Sequence, residues 1–405
     1  MKRVVAVTAA ISLAASLAVA DNVVTAVKVK SLKSLKCGAK IIRKHAKFVP
    51  VTLYPQTTVR MNDKKANELN KDAKAKVAEV AAFTDGKNVA IIMRWPDKSK
   101  DVFKGYKSDI YPDGFAVQFA SSADDPKKLP YIGMGSDGRP VEIFIRKAYG
   151  QGVYEPNGKG DVAHQVNPHN TNYFGKDLKK FEKEVKRLGT LPYQRAFVSE
   201  GFRSMTEIKD GSVKYRTDMH YVNKRGGMWG GMVVKPIKDA YSKPSKNELA
   251  IAVAAWDGKE LQRDGLKRLS SWIAVKLPGA KNKALEAVVT EKAKGDAANG
   301  KKQFETNCAS CHNDRDFHNA PAFMAPDLSN IGGQATAAYL RESILDPNAV
   351  VVPGYNRNAH PNFAWYMVDD KGNRTSTMPP FNYLDKKVVE DIVAYLQTQK
   401  AEVAK

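Results

Sequence analysis

The sequence predicts a mainly β N-terminal domain, an antiparallel β-sandwich, followed by an all-α C-terminal domain. Short apolar runs separated by turn signals occupy the first two thirds of the chain, which favours antiparallel sheets. Apolar residues three and four positions apart near the C-terminus favour helices. Charge follows the same division: the chain carries a formal net charge of +22, but residues 290–405 hold 13 Lys and Arg against 14 Asp and Glu. The basic excess therefore lies entirely in the N-terminal region.

Length and composition describe a globular chain of two or three domains. It has 405 residues, and domains commonly have about 150. The hydrophobic content of 43% and charged content of 27% are typical of globular proteins. Three cysteines are too few to form the disulfide framework of so long a chain, so burial of apolar surface must stabilise the fold.

Residues 1–20 have the features of a secretory signal peptide. Met1-Lys2-Arg3 is a positive start, an Ala-rich apolar run follows, and Ala18-Val19-Ala20 matches a cleavage site before Asp21. The alternative is an uncleaved anchor, for which the run is short. We expect a periplasmic mature chain with no transmembrane segment. Export also argues against nucleic acid as the partner that explains the basic charge.

Residues 21–278 form the predicted β domain. Its candidate strands are apolar runs bounded by turn signals such as Asp85-Gly86 and Asp257-Gly258. The candidates are Val89–Trp95, Phe115–Phe119, Val141–Arg146, Met232–Val234 and Leu249–Trp256. The Lys-, Ala- and Glu-rich stretch Lys64–Ala81 predicts a helix, and the polar stretch Gly150–Gly175 predicts an extended loop.

Residues 279–294 are the predicted linker, and residues 295–405 the predicted helical domain. Asp296 is a candidate N-cap for a helix that runs toward Cys308. Ala337–Leu345 is a second candidate helix, and Asp385 is placed to cap a final amphipathic helix that ends near Leu396.

Cys308-Ala-Ser-Cys311-His312 is the c-type haem attachment pattern. Two thiols one short turn apart can add to the two haem vinyl groups, and the adjacent imidazole can bind the iron. A disulfide, a redox pair and half of a zinc site are the alternatives. A zinc site requires a second pair of ligands, and no other Cys lies nearby. The pattern predicts one covalent haem c.

Met378, before the final helix, is the predicted sixth ligand of that iron. Two prolines follow it and stiffen its loop, and a thioether opposite an imidazole favours electron transfer. Met324 lies too soon after the attachment motif, and Met367 lies in an aromatic stretch where packing is expected. His318 and His360 are the alternative ligands.

Residues from Gly295 to Gln399 resemble class I cytochrome c. The resemblance rests on short motifs before and after the attachment pattern, in the order found in that family. They are Gly300–Phe304, Ala325–Leu328, Ile344–Pro347, Pro353–Tyr355 and Met378-Pro379. It implies a small helical bundle around one haem.

The N-terminal region resembles the haem b-binding gamma subunit of ethylbenzene dehydrogenase-like molybdoenzymes, the type II DMSO reductase family. The resemblance rests on motifs that occur in order along the domain. They are Trp95–Asp97, Tyr111–Phe119, Tyr131–Gly135, Glu200–Thr206, Trp229–Val234, Ala254–Gly258 and Gly265–Trp272.

The resemblance implies a non-covalent haem b whose iron is bound by Met134 and Lys267. Gly residues on both sides of Met134 would let the backbone approach a flat ring, and a Lys ligand must be neutral, which requires burial. The rival ligands are Lys224 and His220, together with His164 and His169 of the polar loop.

The expected function is that of a periplasmic dihaem electron-transfer protein, not itself an enzyme. The resemblance implies the gamma, or cytochrome, subunit of a molybdopterin oxidoreductase complex such as a nitrite- or nitrate-type enzyme, with molybdopterin and iron–sulfur subunits as partners. The basic domain would dock on an acidic surface of its redox partner. The alternatives are a haem oxidoreductase with an open iron, or a monohaem cytochrome c with a β docking module. Cys37 is interpreted as an isolated thiol.

Overall fold

The computed structural model describes residues 22–59, 61–102, 111–150, 180, 183, 191–202, 204–209, 211–223, 226–354 and 364–404. Several sequence predictions fall outside these residues. They are the signal peptide 1–20, residues 151–175 of the polar loop, and the candidate ligands His164, His169, Lys224 and His360.

The N-terminal domain consists of two packed sheets. Its strands are β1 (Val23–Thr25), β2 (Val27–Lys28), β3 (Val49–Pro55), β4 (Lys76–Thr84), β5 (Asn88–Pro96), β6 (Gly114–Ala120), β7 (Val141–Gly150), β8 (Pro192–Ser199), β9 (Thr206–Glu207), β10 (Arg216–Val222), β11 (Met228–Pro236), β12 (Glu248–Trp256), β13 (Arg268–Leu269) and β14 (Ile273–Lys276). Sheet I has the order β10-β11-β5-β4-β3, with β2 on β4. Sheet II has the order β13-β12-β6-β7-β8-β9, with β14 on β12 and β1 on β14.

The strand pairs are antiparallel except β1–β14 and β2–β4, and the β3–β13 pair joins the two sheets. The antiparallel β-sandwich predicted for this domain is confirmed. Each of the five predicted strands lies within an observed strand of the same region.

The main core lies between the sheets. Val80 and Ile91 of sheet I and Phe119 and Ile251 of sheet II are fully buried in it. The sheets approach closely at Gly231, where an added Cβ would lie 2.7 Å from the Phe115 ring. A second apolar cluster covers the outer face of sheet I, where helix α1 (Lys40–His45) contributes Ile42.

The predicted helix Lys64–Ala81 is wrong beyond its first two turns. Helix α2 (Lys64–Asn70) begins after the N-cap Asp63, whose carboxylate accepts from the Ala66 N–H at 3.0 Å. Residues 71–75 form a turn and an isolated bridge, and the rest of the stretch belongs to β4, which pairs with β3 and β5. Alternate β4 residues such as Val80 enter the sandwich core. Tertiary pairing and burial thus override the helix propensity of the Ala- and Lys-rich composition.

The predicted linker 279–294 contains a packed helix, α3 (Ala284–Val289). Its Leu285 and Val289 join Ala250 and Ala252 of β12 in the apolar cluster on the outer face of sheet II. The connection between the domains is therefore held against the sandwich by burial of apolar side chains.

The C-terminal domain is helical, as predicted, and also carries one hairpin. Its elements are α4 (Ala297–Asn307), α5 (Ile331–Gln334), α6 (Ala337–Leu345), strands β15 (Tyr366–Val368) and β16 (Arg374–Ser376), and α7 (Lys386–Leu396). A short 3₁₀ turn lies at Pro347–Val350, and another, Pro126–Lys128, belongs to the N-terminal domain. The predicted caps are confirmed: Asp296 accepts from Ala298 N–H at 2.8 Å, and Asp385 accepts from Lys387 N–H at 2.7 Å. In the part of the chain that the structure describes, no helix has the length and apolar character needed to cross a membrane.

We expect Gly231→Ala to destabilise the sandwich by about 1–3 kcal/mol, because the added methyl group overlaps the Phe115 ring between the sheets. Urea unfolding measures the effect as a lower midpoint. Gly38→Ala is the matched control, since nothing lies within 4 Å of a Cβ at that position. Equal midpoints for the two variants would contradict the close approach of the sheets.

Candidate haem sites and the cavity between the domains

The Cys308–His312 motif forms one tight turn at the C-terminal end of α4. Cys308 continues the helix through its N–H, which donates to Phe304 O at 2.8 Å. The N–H groups of Cys311 and His312 then both donate to Cys308 O, at 3.0 and 2.9 Å. No disulfide joins Cys308 and Cys311. The turn thus presents two thiols and one imidazole from a single short segment, which is the arrangement that covalent haem attachment requires.

His312 is oriented by a backbone carbonyl. Its Nδ1 lies 2.9 Å from Pro326 O, and since a carbonyl can only accept, Nδ1 must carry the proton. The other ring nitrogen, Nε2, is then left with a lone pair for a metal. Burial lowers the pKa of His312, which favours the neutral imidazole that binds iron.

Met378 lies in the loop between β16 and α7 and is half-buried. Its N–H donates to Ser376 Oγ at 3.1 Å. The loop is fixed on both sides of this residue, because Thr377 N–H donates to Trp365 O at 3.1 Å and Phe381 N–H donates to the α6 residue Ile344 at 3.0 Å. The predicted sixth ligand therefore lies in an anchored loop.

The rival ligands of the helical domain have different surroundings. Met367 of β15 is 62% exposed, so the expectation that it packs among aromatic side chains is wrong, because it lies on the hairpin facing solvent. Met324 is half-buried in the turn that follows Pro321, and His318 is exposed.

Met134 occupies a left-handed backbone conformation, with φ of 83°. Such a φ is rare for a side chain of this size and costs about 1–3 kcal/mol unless the surroundings enforce it. Here the turn is closed by Gly135 N–H, which donates to Tyr131 O at 3.0 Å. Met134 packs against the apolar cluster on the outer face of sheet II, together with Phe202 and Trp365. Strain at a residue between two glycines marks this turn as a candidate binding feature.

Lys267, the residue before β13, is only 5% exposed. Its Nζ donates to the backbone carbonyl of Asp264 at 3.3 Å and lies 5.9 Å from the centre of the Trp256 ring. Burial lowers the pKa of Lys267 to about 8. A neutral amine with a free lone pair is thus accessible at modest cost, as a metal ligand requires.

A cavity of about 710 Å³ lies between the two domains, within the size range of cofactor pockets. Gln56, Phe202 and Lys267 line it from the β domain, and Asn313 and Asp327 line it from the helical domain. Gln56 is 4% exposed, and its Oε1 has no hydrogen-bond partner in the described structure. The buried Lys could supply an amine ligand to the iron of a haem, whereas the orphaned Gln56 oxygen calls for a hydrogen-bond donor, which the ionised propionates of a haem do not offer.

His220, the rival ligand that the structure describes, does not reach this cavity. It is exposed on β10, the edge strand of sheet I, whereas the cavity borders Lys267 beside sheet II. Cys37 is also remote from both candidate sites. Its Sγ donates to Asp218 O at 3.6 Å, and burial raises the pKa of this thiol, which keeps it protonated and unreactive.

Polar contacts between the two domains hold them together. Arg139 makes a two-pronged ion pair with Glu342, with N···O distances of 2.6 and 2.7 Å. Gln334 Nε2 donates to Tyr54 O and Pro55 O, both at 3.2 Å. Sequence reasoning missed these residues and Gln56, because no local motif marks a contact between domains.

Two family models match the chain in sequence. One is described as ethylbenzene dehydrogenase and covers residues 39–268; the other is described as cytochrome c and covers residues 297–400. The first spans more than half of the chain. The chain belongs to the ethylbenzene dehydrogenase family. Both resemblances inferred from the motifs are confirmed, and the cytochrome c domain of this family member implies a covalent haem c at Cys308 and Cys311.

Similarity to other known proteins is weak. A putative carbohydrate-binding protein from Bacteroides uniformis ATCC 8492 is 10% identical, with 64% of this chain and 92% of that chain covered and a TM-score of 0.30. A family 9 carbohydrate-binding module from Caldicellulosiruptor kristjanssonii, in complex with glucose, is 6% identical, with 64% and 97% covered and a TM-score of 0.29. No curated protein matches the chain.

We expect Arg139→Ala to loosen the contact between the domains, because it removes a charge-assisted pair worth about 1.5–3 kcal/mol. The Asp137 N–H, which donates to Val351 O across the same contact, should then exchange with deuterium at least about tenfold faster. Hydrogen exchange of this amide measures the effect. Arg195→Ala is the control, since Arg195 pairs with Glu207 within sheet II; equal exchange in both variants would contradict the prediction.

Proposed function

We propose that this chain is a periplasmic dihaem electron-transfer protein, with haem c in the helical domain and haem b in the cavity between the domains. The observation that carries the proposal is the cavity itself, because a buried lysine lines it from one domain and the segment after the haem c motif lines it from the other. The chain would carry one electron at a time between a partner oxidoreductase and a second redox protein.

In the helical domain, Cys308 and Cys311 would hold the haem, and His312 and Met378 would bind its iron. The Pro326 carbonyl fixes the tautomer and the orientation of His312. Binding of the iron by both a thioether and an imidazole would raise its reduction potential and favour electron transfer. These residues bind and tune the group, and no protein bond is made or broken during transfer.

In the β domain, Lys267 of the cavity lining and Met134 would bind the iron of haem b. Met134 is not itself a lining residue, but it packs against the same apolar cluster as the lining residues Phe202 and Trp365. Burial of Lys267 lowers its pKa and so makes the neutral amine accessible, and Met134 lies in a left-handed turn between two glycines. Lys64 and Lys71 are exposed residues of the cavity lining, and their charges suit the propionate groups of a haem. The group supplies a one-electron iron couple when it is bound.

The two sites are connected through one short segment. Asp327 lines the cavity and directly follows Pro326, whose carbonyl orients His312. Thr57 Oγ1, also of the cavity lining, lies 3.4 Å from Asp327 O. A haem in the cavity would therefore lie against the same loop that holds the ligand of the other haem, which suits direct electron transfer.

The family suggests a place for the chain in a larger assembly. The proposed role is the gamma, or cytochrome, subunit of a molybdopterin oxidoreductase complex such as a nitrite- or nitrate-type enzyme. The basic excess of the N-terminal region would dock on an acidic surface of the partner subunits and speed their encounter.

We expect the purified protein to contain two haems per chain, one that acid–acetone extracts and one that stays covalently bound. The pyridine haemochrome assay before and after extraction counts them. Lys267→Ala and Met134→Ala should each lose the extractable haem or convert it from low-spin to high-spin, while the covalent haem stays at one per chain. Lys259→Ala is the control, because Lys259 is exposed in the loop that leads to Lys267.

Other results would assign a different function. A single covalent haem would show that the β domain is a docking module without its own haem. A high-spin extractable haem with a free sixth position in the native protein would favour an oxidoreductase that reacts with a small substrate. Native haem b spectra in both ligand variants would contradict the assignment of Met134 and Lys267.

We expect capture of the molybdenum-containing partner from periplasm to weaken steeply as the salt concentration rises. Dissolved ions screen the attraction between exposed charges that are more than about 8 Å apart at physiological ionic strength. The measurement is molybdenum and partner protein retained by the immobilised chain at 50, 150 and 500 mM NaCl. Retention that does not change with salt would contradict docking through the basic surface.

A further inference from the structure

Three carboxylates from two chain segments converge at one end of the sandwich. Asp97 follows β5 of sheet I, Asp101 lies four residues further along, and Asp257 follows β12 of sheet II. One carboxylate oxygen from each lies within 4.8 Å of the other two. The cluster therefore bridges the ends of the two sheets. It is separate from the candidate haem cavity, because none of its three residues lines that cavity.

One of the oxygens is buried and has no partner. Asp97 is 3% exposed, and its Oδ2 makes no hydrogen bond in the described structure, whereas its Oδ1 accepts from Ser99 N–H at 3.0 Å. An unsatisfied carboxylate oxygen in a protein interior costs several kcal/mol unless a cation or a donor reaches it. This atom is the observation that points to a ligand.

The described basic side chains do not balance the cluster. Lys76 Nζ lies 2.9 Å from Asp257 Oδ2, but it also reaches Glu260 at 3.6 Å. The nearby Asp113 adds a further buried carboxylate, whose oxygens accept from Asp101 N–H at 2.6 Å, Gly258 N–H at 2.9 Å and Trp229 Nε1 at 2.9 Å. Since Arg268 pairs with Glu260 and burial raises the pKa of Asp113 to about 8, Lys76 is left to face the three carboxylates of the cluster, whose repulsion is strong in a region of reduced dielectric.

The ligand type and the surroundings of the cluster suit calcium. Calcium binds six to eight oxygen ligands at about 2.4 Å in a flexible geometry, so three carboxylates and several waters could complete its coordination. Magnesium, with bonds of about 2.1 Å, demands near-ideal octahedral geometry and prefers to keep its waters. Asp97 and Asp257 are buried and Asp101 is half-buried, which leaves one side of the site open to water ligands.

We propose that Asp97, Asp101 and Asp257 form a structural calcium site that ties the end of sheet I to the end of sheet II. The ion would satisfy the orphaned oxygen of Asp97 and offset the repulsion among the three carboxylates. Asp113 positions the site, since it fixes the backbone N–H groups of Asp101 and Gly258 without offering a free oxygen. This inference is independent of the proposed electron-transfer function.

Calcium binding and stability test the site in the full holoprotein. After removal of metal with EDTA and exchange into chelator-free buffer, calorimetric titration with CaCl₂ should show one strong site per chain, and calcium should raise Tm by several degrees. Titration with MgCl₂ should show at least about tenfold weaker binding. Elemental analysis of protein that has not been exposed to EDTA, after dialysis to remove loosely bound calcium, should find about one calcium per chain in addition to the haem iron.

Two variants and one control complete the test. Asp97→Asn and Asp101→Asn should each weaken calcium binding by about tenfold or more and reduce the calcium-dependent rise in Tm. Asp101 is half-buried, so its variant is expected to fold even if the Asp97 variant does not. Asp72→Asn is the control, because Asp72 is an exposed acid outside the cluster, and it should bind calcium as the native chain does. Absence of calcium from the native protein, with no change in Tm on adding CaCl₂ or EDTA, would overturn the proposal.

Discussion

The fold depends on one constraint: sheet II is apolar on both faces, so both faces must be covered. All nine residues of β12 are buried. Ile251 and Val253 face the core between the sheets, while Ala250 and Ala252 belong to the outer cluster. The outer face is completed by α3 and by residues of the helical domain such as Val350. Docking of the second domain is thus required by the same strand that forms the sandwich core.

That docking also creates the candidate haem b site. Small alanines on the outer face of β12 and β6 let α3 and the helical domain approach sheet II closely. The edge of this contact, where the loop before β13 meets the segment after the haem c motif, is left unfilled as the cavity. A cofactor at this position would touch both domains, so one packing arrangement positions a ligand and sets its distance from the second haem.

The sequence predicted those elements well whose structure is determined by residues close together in the chain. The apolar run of β12, the carboxylate caps Asp296 and Asp385, and the tight Cys308–His312 turn are all local features. The stretch from Lys76 onward was mispredicted because the place of β4 between β3 and β5 is decided by residues elsewhere in the chain. Gln56 and Arg139 carried no signal at all, and Lys267 was found only through family resemblance, since burial of one lysine depends on the whole domain.

Two buried lysines show how differently this fold treats a cation. Lys235 is 1% exposed, and its Nζ lies 3.2 Å from a Glu142 oxygen, 2.7 Å from an Asp239 oxygen and 2.8 Å from Ser242 Oγ. Burying an ammonium group is tolerable when carboxylates surround it in this way. Lys267 is buried almost as deeply, yet the described structure offers it one backbone carbonyl, and burial lowers its pKa to about 8. The fold surrounds Lys235 with ion-pair partners but gives Lys267 only the weaker attraction of Asp264, so burial brings the neutral amine within reach at Lys267. A neutral amine facing a cavity is suited to bind a metal.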